Sequence, residues 1–250
     1  MRTKNYMIML LSALVLFTLN AKAEDDDVPG WLQVPEGYKA IMNAHSLKGW
    51  QGRVADVSKV KSMKKAELDK AQKEADELMK KHWHVSEEGT LIFDGRGGHI
   101  RTVKEYSDFE FMFEWKVKAR GSSGIYLRGY PQVQLWDSRL MDIGSGSLFN
   151  NKKAGKKPLE KADRRAGLWN QMKIKMVGSY VWVWLNGKLV TKGVELENFW
   201  DRGKPINAKG PIEIENDDNN LYFRNMFIRE IDSAEAKKTI AELAKSNPKK

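Results

Sequence analysis

Residues 109–117 read Phe-Glu-Phe-Met-Phe-Glu-Trp-Lys-Val, in which large apolar residues alternate with Glu, Met and Lys. This period of two is the pattern of a β-strand that buries one face. It returns at 172–176 and 181–185, and Asn186-Gly187 then predicts a hairpin turn. Strands separated by turn residues, without a regular strand–helix–strand alternation, predict an all-β protein. We therefore expect an antiparallel two-sheet jelly-roll sandwich.

Two segments have a helical period instead. Between residues 57 and 83 apolar residues recur three and four positions apart, which predicts one amphipathic helix inserted into the sandwich. The side chains expected to dock it are Leu68, Ala75, Leu78 and Met79. A second helix is predicted over 234–244. The sandwich is thus expected to span 34–231, followed by a C-terminal helix and basic tail over 232–250.

The N-terminus has the three parts of an export signal. A basic start precedes an apolar run over 7–19, and Ala21-Lys22-Ala23 supplies small residues for cleavage. We predict a signal peptide at 1–23, cleaved after Ala23, and a polar leader at 24–33. The mature protein is then expected in the periplasm or secreted, with no membrane segment left.

Composition and spacing exclude several functions. The chain has no Cys, which rules out disulfides, thiolate metal sites and a Cys nucleophile. The net charge is +10, from 43 basic and 33 acidic residues, but the basic clusters lack interleaved aromatic residues, so nucleic acid is not an expected partner. His82 and His84 are two positions apart with no carboxylate pattern, so no metal site is predicted there. No Ser occupies a nucleophile-elbow sequence, so no hydrolase triad is expected.

Polar residues on two predicted strands are typical of sugar binding. Gly121-Ser122-Ser123-Gly124 leads into a strand on which Tyr126 and Arg128 should share one face. The next strand presents two Gln and a Trp, and an Asp follows it. Planar polar groups bind pairs of hydroxyls, and an indole lies against the apolar face of a pyranose. The predicted substrate-binding residues are Tyr126, Gln132, Gln134, Trp136 and Asp137.

Three carboxylates should share one face of a later strand. In Glu213-Ile-Glu215-Asn-Asp217 they alternate with other residues. Like charges on one face raise one another's pKa, attract a cation or stay solvated. A carboxylate pair could also supply the acid and the base of glycosidic cleavage. An exposed acidic strand without a chemical role explains the pattern equally well.

The motifs, taken in order, resemble one family. They include Leu-Lys-Gly-Trp50, Tyr106-Ser-Asp-Phe109, Ser123-Gly-Ile-Tyr-Leu-Arg128, Gln132-Val-Gln-Leu-Trp-Asp137, Val183-Trp-Leu-Asn-Gly187, Glu197-Asn-Phe-Trp-Asp201 and Phe223-Arg-Asn225. As a set they resemble the 3-keto-disaccharide hydrolase domain family over about residues 34–231. The resemblance implies a concanavalin-like jelly roll that acts on glycosides already oxidised at the sugar C3.

Such a substrate can be cleaved by elimination. The 3-keto group acidifies the C2 proton, so a base can remove it and the aglycone at C1 can leave, after which water adds to the enone. The resemblance implies Arg128 as partner of the C3 oxyanion, with Gln134 and Asp137 holding hydroxyls. The candidate bases and acids are Glu114, Glu215 and Asp217. A separate sugar C3 oxidoreductase would supply the substrate.

One motif departs from the family pattern. The family usually reads Leu-Gln-x-His-Gly where this chain has Ile214-Glu215-Asn216-Asp217-Asp218. Either Asp217 replaces the His in proton transfer or the reaction is lost. No cofactor is expected to be required, although the added carboxylates would suit a divalent cation such as Ca²⁺.

Three functions therefore stay open at this level. The family resemblance favours cleavage of 3-keto-glycosides. The change at Asp217 favours a carbohydrate-binding module without catalysis, and the carboxylates of 213–217 favour a laminarinase-like glycosidase. A glycoside or oligosaccharide is the expected ligand in all three.

Overall fold

The computed structural model describes residues 34–43, 45–140 and 142–246. The predicted signal peptide and leader at 1–33 lie outside the described residues, as do the last four residues of the basic tail. Within the described ranges, no helix combines the length and the apolar character needed to cross a membrane.

Two antiparallel sheets form the body of the protein. In chain order the strands are β1 (Lys39–Ala40), β2 (Trp50–Gly52), β3 (Trp83–Val85), β4 (Leu91–Asp94), β5 (Ile100–Thr102), β6 (Phe109–Val117), β7 (Ser122–Leu127), β8 (Tyr130–Trp136), β9 (Asn170–Val177), β10 (Tyr180–Leu185), β11 (Lys188–Glu195), β12 (Ile212–Ile214) and β13 (Asn220–Glu230). The first sheet has eight strands in the order β11-β10-β9-β6-β13-β4-β3, with β1 paired to β13. The second has five strands in the order β2-β5-β12-β7-β8.

The chain passes repeatedly from one sheet to the other. Strands β6 and β7 are consecutive but belong to different sheets, and the same holds for β8 and β9 and for β11 and β12. The two sheets therefore exchange strands as a jelly roll does, and no strand pair is parallel among the described pairings. The predicted all-β, two-sheet jelly-roll class is confirmed.

The core lies between the sheets and follows the predicted alternation. On β6, the residues at odd positions from Phe109 to Val117 are buried, and they contact a single apolar cluster. The five-stranded sheet contributes Ile100, Ile125 and Ile214 to the same cluster. A chain without disulfides depends on such burial for its stability. Since the inward faces supply that core, the outward faces can carry polar side chains.

The helical insertion consists of two helices, so the prediction of one helix over 57–83 was wrong. Helix α1 spans Val57–Ser62 and helix α2 spans Lys65–His82. Asp56 caps α1 by accepting from the backbone N–H of Lys59 at 2.9 Å. Met63 then has extended backbone angles that stop α1 and turn the chain before α2 begins. The helical period continued through this turn in sequence, and it gave no signal for the break.

Helix α2 docks through Met79 and Ala75 as predicted, but Leu78 is not part of the docking face. Met79 is buried at 4% exposure, whereas Leu78 is 42% exposed and does not anchor the helix. The docking face also includes polar residues, because Gln72 donates to the Gly52 carbonyl at 2.8 Å and Asp76 accepts from the Gly52 N–H at 2.8 Å. A purely hydrophobic pattern could not reveal these contacts.

Gly52 permits this close approach. An added Cβ at this position would lie 2.1 Å from the carbonyl oxygen of Ala75 and 2.4 Å from its carbonyl carbon. The backbone of α2 therefore lies directly on edge strand β2, whose hydrogen-bonding groups it covers.

The predicted C-terminal helix is present as α3, spanning Ser233–Ser246. It lies against the eight-stranded sheet, where Ile240 and Leu243 pack on a small cluster around Trp182. Glu235 fixes its first turn, since Arg229 contacts that carboxylate at 2.6 Å and Lys175 contacts it at 3.3 Å.

Gly52→Ala is expected to lower the free energy of unfolding by about 1–3 kcal/mol, because the new methyl group overlaps rigid helix backbone. Gly98→Ala is the matched control, since a Cβ there meets only the Leu78 side chain at 3.8 Å. It should change stability by less than about 0.5 kcal/mol. Urea unfolding of both variants measures the difference, and equal stabilities would show that α2 does not rest on Gly52.

Met79→Ala is expected to cost about 2–4 kcal/mol, because it leaves a cavity under α2. Leu78→Ala on the same helix turn should cost less than about 1 kcal/mol, since that side chain is largely solvated. Thermal and urea unfolding of the pair test the docking face. A larger loss for Leu78→Ala would show that Leu78 anchors the helix, as the sequence predicted.

Candidate functional site

The outer face of the five-stranded sheet carries a dense set of polar side chains. Because side chains alternate between faces along a strand, the register places them in two rows. One row consists of Gln51, Arg101, Glu213, Tyr126 and Gln132. The neighbouring row consists of Arg53, His99, Glu215, Gly124 and Gln134. The prediction that Glu213, Glu215 and Asp217 share one strand face is therefore confirmed for Glu213 and Glu215 and not for Asp217, which lies three residues beyond the end of β12.

Glu215 is held on this face by two side chains. The Tyr126 hydroxyl donates to its Oε1 at 3.2 Å, and the Gln132 amide donates to its Oε2. The pKa of Glu215 is raised from 4.5 to about 7, chiefly because burial disfavours the charge, although the hydrogen bond from Tyr126 opposes the rise. Near neutral pH this carboxylate can take up or release a proton, as general acid–base catalysis requires.

Gly124 lets Gln132 reach Glu215. An added Cβ at 124 would lie 2.2 Å from Nε2 and 2.4 Å from Cγ of Gln132. The Gln132 side chain therefore packs directly on the Gly124 backbone between β8 and Glu215. Asn150 supports it from the other side, since its Nδ2 lies 3.5 Å from Gln132 Oε1. The Gly-Ser-Ser-Gly motif thus serves this site through its last glycine.

A buried ion group lies in the adjoining row. Glu213 is 1% exposed. Its Oε2 lies 3.1 Å from Arg53 Nε, but the angle is not that of a hydrogen bond. Arg101 is its cross-strand neighbour. Burial raises the pKa of Glu213, and the charges of Arg53 and Arg101 oppose that rise. In either protonation state of Glu213, the group carries net positive charge.

Buried polar atoms without partners concentrate here. Seven such side-chain atoms occur in the described residues, and four of them are Arg53 Nε, His99 Nδ1, Arg101 Nε and Glu213 Oε2. An unpaired buried polar atom costs about 1–3 kcal/mol, a cost that the 3.1 Å ion pair between Arg53 Nε and Glu213 Oε2 offsets in part. Native proteins keep such groups mainly where strain or chemistry requires them, so this face is the best candidate for the functional site.

His99 brings an imidazole to the same face, beside Glu215. Its ring stacks on Tyr126 with centroids 6.1 Å apart. Burial and the positive charge of Arg53 lower its pKa to about 4, so His99 is neutral at physiological pH. The sequence patterns did not single out His99, Arg53 or Arg101. The alternation in His99-Ile-Arg101 was a usable signal for two of them, whereas nothing local pointed to Arg53.

Asp217 lies beyond the end of β12 and is exposed. It makes no contact with Tyr126 or Gln132 among the described hydrogen bonds. Its negative charge nevertheless adds to the rise in the pKa of Glu215. Of the two carboxylates predicted for proton transfer on this strand, Glu215 is the one built into the site.

Arg128 does not share a face with Tyr126, so that prediction was wrong. Strand β7 ends at Leu127 after a register shift, and Arg128 has a φ of 55°. Its side chain is buried, where Nη2 donates to Asp108 at 2.8 Å and Nη1 donates to the Gly178 carbonyl at 2.9 Å. It thereby ties β7 to the eight-stranded sheet beside a groove of about 1060 Å³ at one end of the sandwich.

Glu114 lies on the opposite side of the molecule from Glu215. It belongs to the outer face of the eight-stranded sheet, where Arg224 Nε contacts its Oε2 at 2.7 Å and Gln171 donates to its Oε1 at 3.1 Å. The structure therefore does not bring Glu114 into the group around Glu215, although the sequence prediction joined them.

Three other predicted binding residues are engaged within the protein. Gln134 donates to the Ser123 carbonyl at 2.8 Å, and Asp137 accepts from the Arg120 N–H at 2.8 Å. Trp136 is mostly covered, and its indole N–H points at Ser147 Oγ, 3.4 Å away. The exposed ring next to it is Phe149, which meets Trp136 edge-on at 6.0 Å.

A metal centre finds no support in the described part of the chain. No group of three or more His, Asp or Glu side chains is placed there to hold an ion. The predicted preference of the 213–217 carboxylates for a divalent cation stays a prediction.

Comparison with solved structures gives the same fold. Three proteins from Parabacteroides distasonis ATCC 8503, provisionally assigned as glycosyl hydrolases, align with this chain. One is 21% identical over 79% of this chain and 95% of its own, with a TM-score of 0.56. Another is 24% identical over 79% and 85%, with a TM-score of 0.57. A third is 19% identical over 78% and 99%, with a TM-score of 0.57.

Sequence comparison identifies the family. No curated protein matched the chain. The family model of the 3-keto-alpha-glucoside-1,2-lyase-like domain matches residues 37–229, which agrees with the resemblance seen in the motifs. The chain therefore belongs to the family of 3-keto-alpha-glucoside-1,2-lyase-like domains.

Proposed function

We propose that this protein cleaves 3-keto-glycosides by elimination followed by hydration, with Glu215 as the base. The observation that carries the proposal is the geometry around Glu215, a partly buried carboxylate held by Tyr126 and Gln132 next to cationic Arg53. A base with a pKa near the working pH can take a weakly acidic C–H proton and return it.

Glu215 serves both proton transfers at C2. Glu215 removes the C2 proton, and the electron pair moves toward the C3 oxygen to form an enolate. The enolate then expels the aglycone by breaking the C1–O bond, which leaves an enone. The oxygen of a water molecule adds to C1 of the enone, the proton that this water loses balances the one that the aglycone alkoxide takes from solvent, and Glu215 returns a proton to C2. The net result is hydrolysis of the glycosidic bond without oxidation or reduction.

Arg53 is proposed as the partner of the C3 oxyanion, in place of Arg128. Its side chain is 21% exposed, and its charge acts on Glu215, Tyr126 and His99. A cation fixed beside the developing enolate stabilises it more than it stabilises the neutral ketone. Burial raises the pKa of Tyr126 well above its ordinary value, so its hydroxyl stays protonated and can donate.

The laminarinase-like alternative needs two accessible carboxylates. Glu213 is buried against Arg53 and Arg101, so the pair would have to be Glu215 and Asp217. Asp217, however, makes no described hydrogen bond to Tyr126 or Gln132, the two residues that hold Glu215. The arrangement therefore favours one base beside a cation over a carboxylate pair.

The deciding experiment compares 3-keto-trehalose or a 3-keto-glucoside with the unoxidised parent. Cleavage of the keto form alone supports the proposal, cleavage of the parent indicates a glycosidase, and binding without turnover indicates a binding module. Running the reaction in D₂O adds a test of the elimination step, because a proton on Glu215 that exchanges with solvent before hydration is replaced by deuterium, which is then delivered to C2 of the product. Product incubated without enzyme controls for spontaneous exchange.

The proposal extends to a partner, which the keto group requires, and to a location, which the N-terminal sequence suggests. We propose that a separate oxidoreductase oxidises the sugar at C3 before this protein acts. We propose that the mature chain works in the periplasm or outside the cell, after cleavage at Ala23. N-terminal sequencing of the mature protein from cell fractions tests the location.

Glu215→Gln is expected to lower kcat/KM on a 3-keto-glycoside by about 100-fold or more, because the base is lost. In the native protein, activity should fall as the pH drops through about 7, where Glu215 takes up its proton. Glu114→Gln, on the opposite sheet, is the comparison variant and should keep the activity per folded molecule. Loss of activity in Glu114→Gln alone would move the base to that face.

Asp217→Asn is expected to keep most activity and to shift the acidic limb of the pH profile to lower pH by about half a unit. The reason is that removing a negative charge lowers the pKa of Glu215. A pH–rate series on native and variant protein measures the shift. Abolished activity in Asp217→Asn would instead make Asp217 the base.

Glu215→Gln is also expected to stabilise the fold, but only at higher pH. The folded chain holds the Glu215 proton more tightly than the unfolded chain does, so this residue weakens the fold progressively between about pH 4.5 and 7. The variant should gain about 2–3 kcal/mol at pH 8 and nothing at pH 4. Urea unfolding at both values tests this, and an equal gain at both would contradict the raised pKa.

A further inference from the structure

Gln72 of helix α2 joins the helical insertion to the candidate site. Its side-chain amide nitrogen donates to the Gly52 carbonyl at 2.8 Å and to Asp76 Oδ1 at 2.9 Å. Its oxygen faces Nη2 of Arg101 at 3.4 Å. One amide therefore contacts the edge strand, its own helix and a buried cation of the site.

Arg101 depends on this contact. It is 8% exposed, and its Nε has no hydrogen-bond partner. Within the described residues, its guanidinium donates its hydrogen bond to Oε1 of Gln72. The neighbouring carboxylate of Glu213 attracts Arg101 as well, but Oε2 of Glu213 lies against Arg53. Arg53 and Arg101 thus compete for the buried carboxylate of Glu213, and the hydrogen bond to Gln72 keeps Arg101 away from it.

We propose that Gln72 is a positioning residue: it holds Arg101 so that Glu213 stays with Arg53, and Arg53 stays beside Glu215. The proposal rests on the function proposed above. It adds that helix α2 of the insertion supports the site through Gln72. Without the Gln72 amide, Arg101 is free to move onto Glu213. Arg53 then loses its anchor and the cation next to Glu215 is no longer fixed.

The charged groups around Glu215 determine the direction in which its pKa should move. The groups there that titrate or carry charge are Arg53 beyond β2, His99 and Arg101 at the start of β5, Tyr126 on β7, and Glu213 and Asp217 on its own segment. Arg53 is a cation in this set, and its charge lowers the pKa of Glu215. If Arg53 is displaced, Glu215 binds its proton more tightly and the acidic limb of the activity profile moves to higher pH.

The test compares two variants at position 72. Gln72→Met removes every hydrogen bond of the amide while keeping side-chain length and helix propensity. It should raise the acidic midpoint by about half a unit and lower kcat at pH 7 by roughly threefold to tenfold, with a smaller change in KM. Gln72→Glu keeps an acceptor for Arg101 but loses the hydrogen bonds to Gly52 and Asp76 and repels the Asp76 carboxylate, so it should weaken the docking of α2 while its midpoint stays closer to the native value than that of Gln72→Met.

Glu74→Met is the matched control on the same helix, since Glu74 is exposed and contacts only Lys70 at 4.0 Å among the described ion pairs. It should leave the pH profile unchanged. If Gln72→Met and Gln72→Glu lose activity equally, the residue acts by docking α2 and the proposal is overturned. An unshifted midpoint in folded Gln72→Met overturns it as well.

A readout that needs no turnover separates this proposal from the function on which it rests. Carbon-13 NMR of labelled glutamate carboxyls reports the titration of Glu215 directly, and Glu215→Gln assigns the signal. A Glu215 titration that moves upward in Gln72→Met supports the positioning role even if the native protein fails to cleave 3-keto-glycosides. Identical titrations in native protein and Gln72→Met reject the role even if cleavage is observed.

Discussion

The carboxylate of Glu215 lies where burial makes its charge costly, and much of the outer face is arranged around that cost. Tyr126 and Gln132 donate to it, Gly124 gives Gln132 its path, and Arg53 supplies positive charge nearby. These contacts reduce the desolvation penalty without removing it, so the pKa stays near 7. A fully compensated carboxylate would be a poor base, and an uncompensated one would take up a proton and stay neutral.

Burial of the sandwich core offsets the free-energy cost of this polar arrangement. A chain without Cys relies on its apolar core, and here the inward faces of both sheets share one cluster. The site occupies the other face of the smaller sheet, so its unsatisfied atoms do not interrupt core packing. Strands fix the row of Gln51, Arg101, Glu213, Tyr126 and Gln132, and Arg53, His99 and Glu215 of the other row each lie one residue beyond a strand end.

Period-two alternation predicted the strands, the core and the shared face of Glu213 and Glu215, because it reflects backbone geometry. It failed where local geometry breaks the alternation. Arg128 follows a register shift and has a positive φ, so counting residues from Tyr126 gave the wrong face. Glu114 was grouped with Glu215 because a strand sequence does not say which sheet the strand joins. Leu78 was chosen on hydrophobicity, whereas α2 docks partly through polar contacts to Gly52.

Arg53 shows the limit of local sequence reasoning most clearly. It follows a three-residue strand and precedes the helical insertion, so no pattern marks it. It becomes part of the site because β2 pairs with β5 and because α2 covers the edge that β2 would otherwise expose. The insertion thus has two consequences at once. It completes the sheet edge, and it encloses the cations that set the charge beside Glu215.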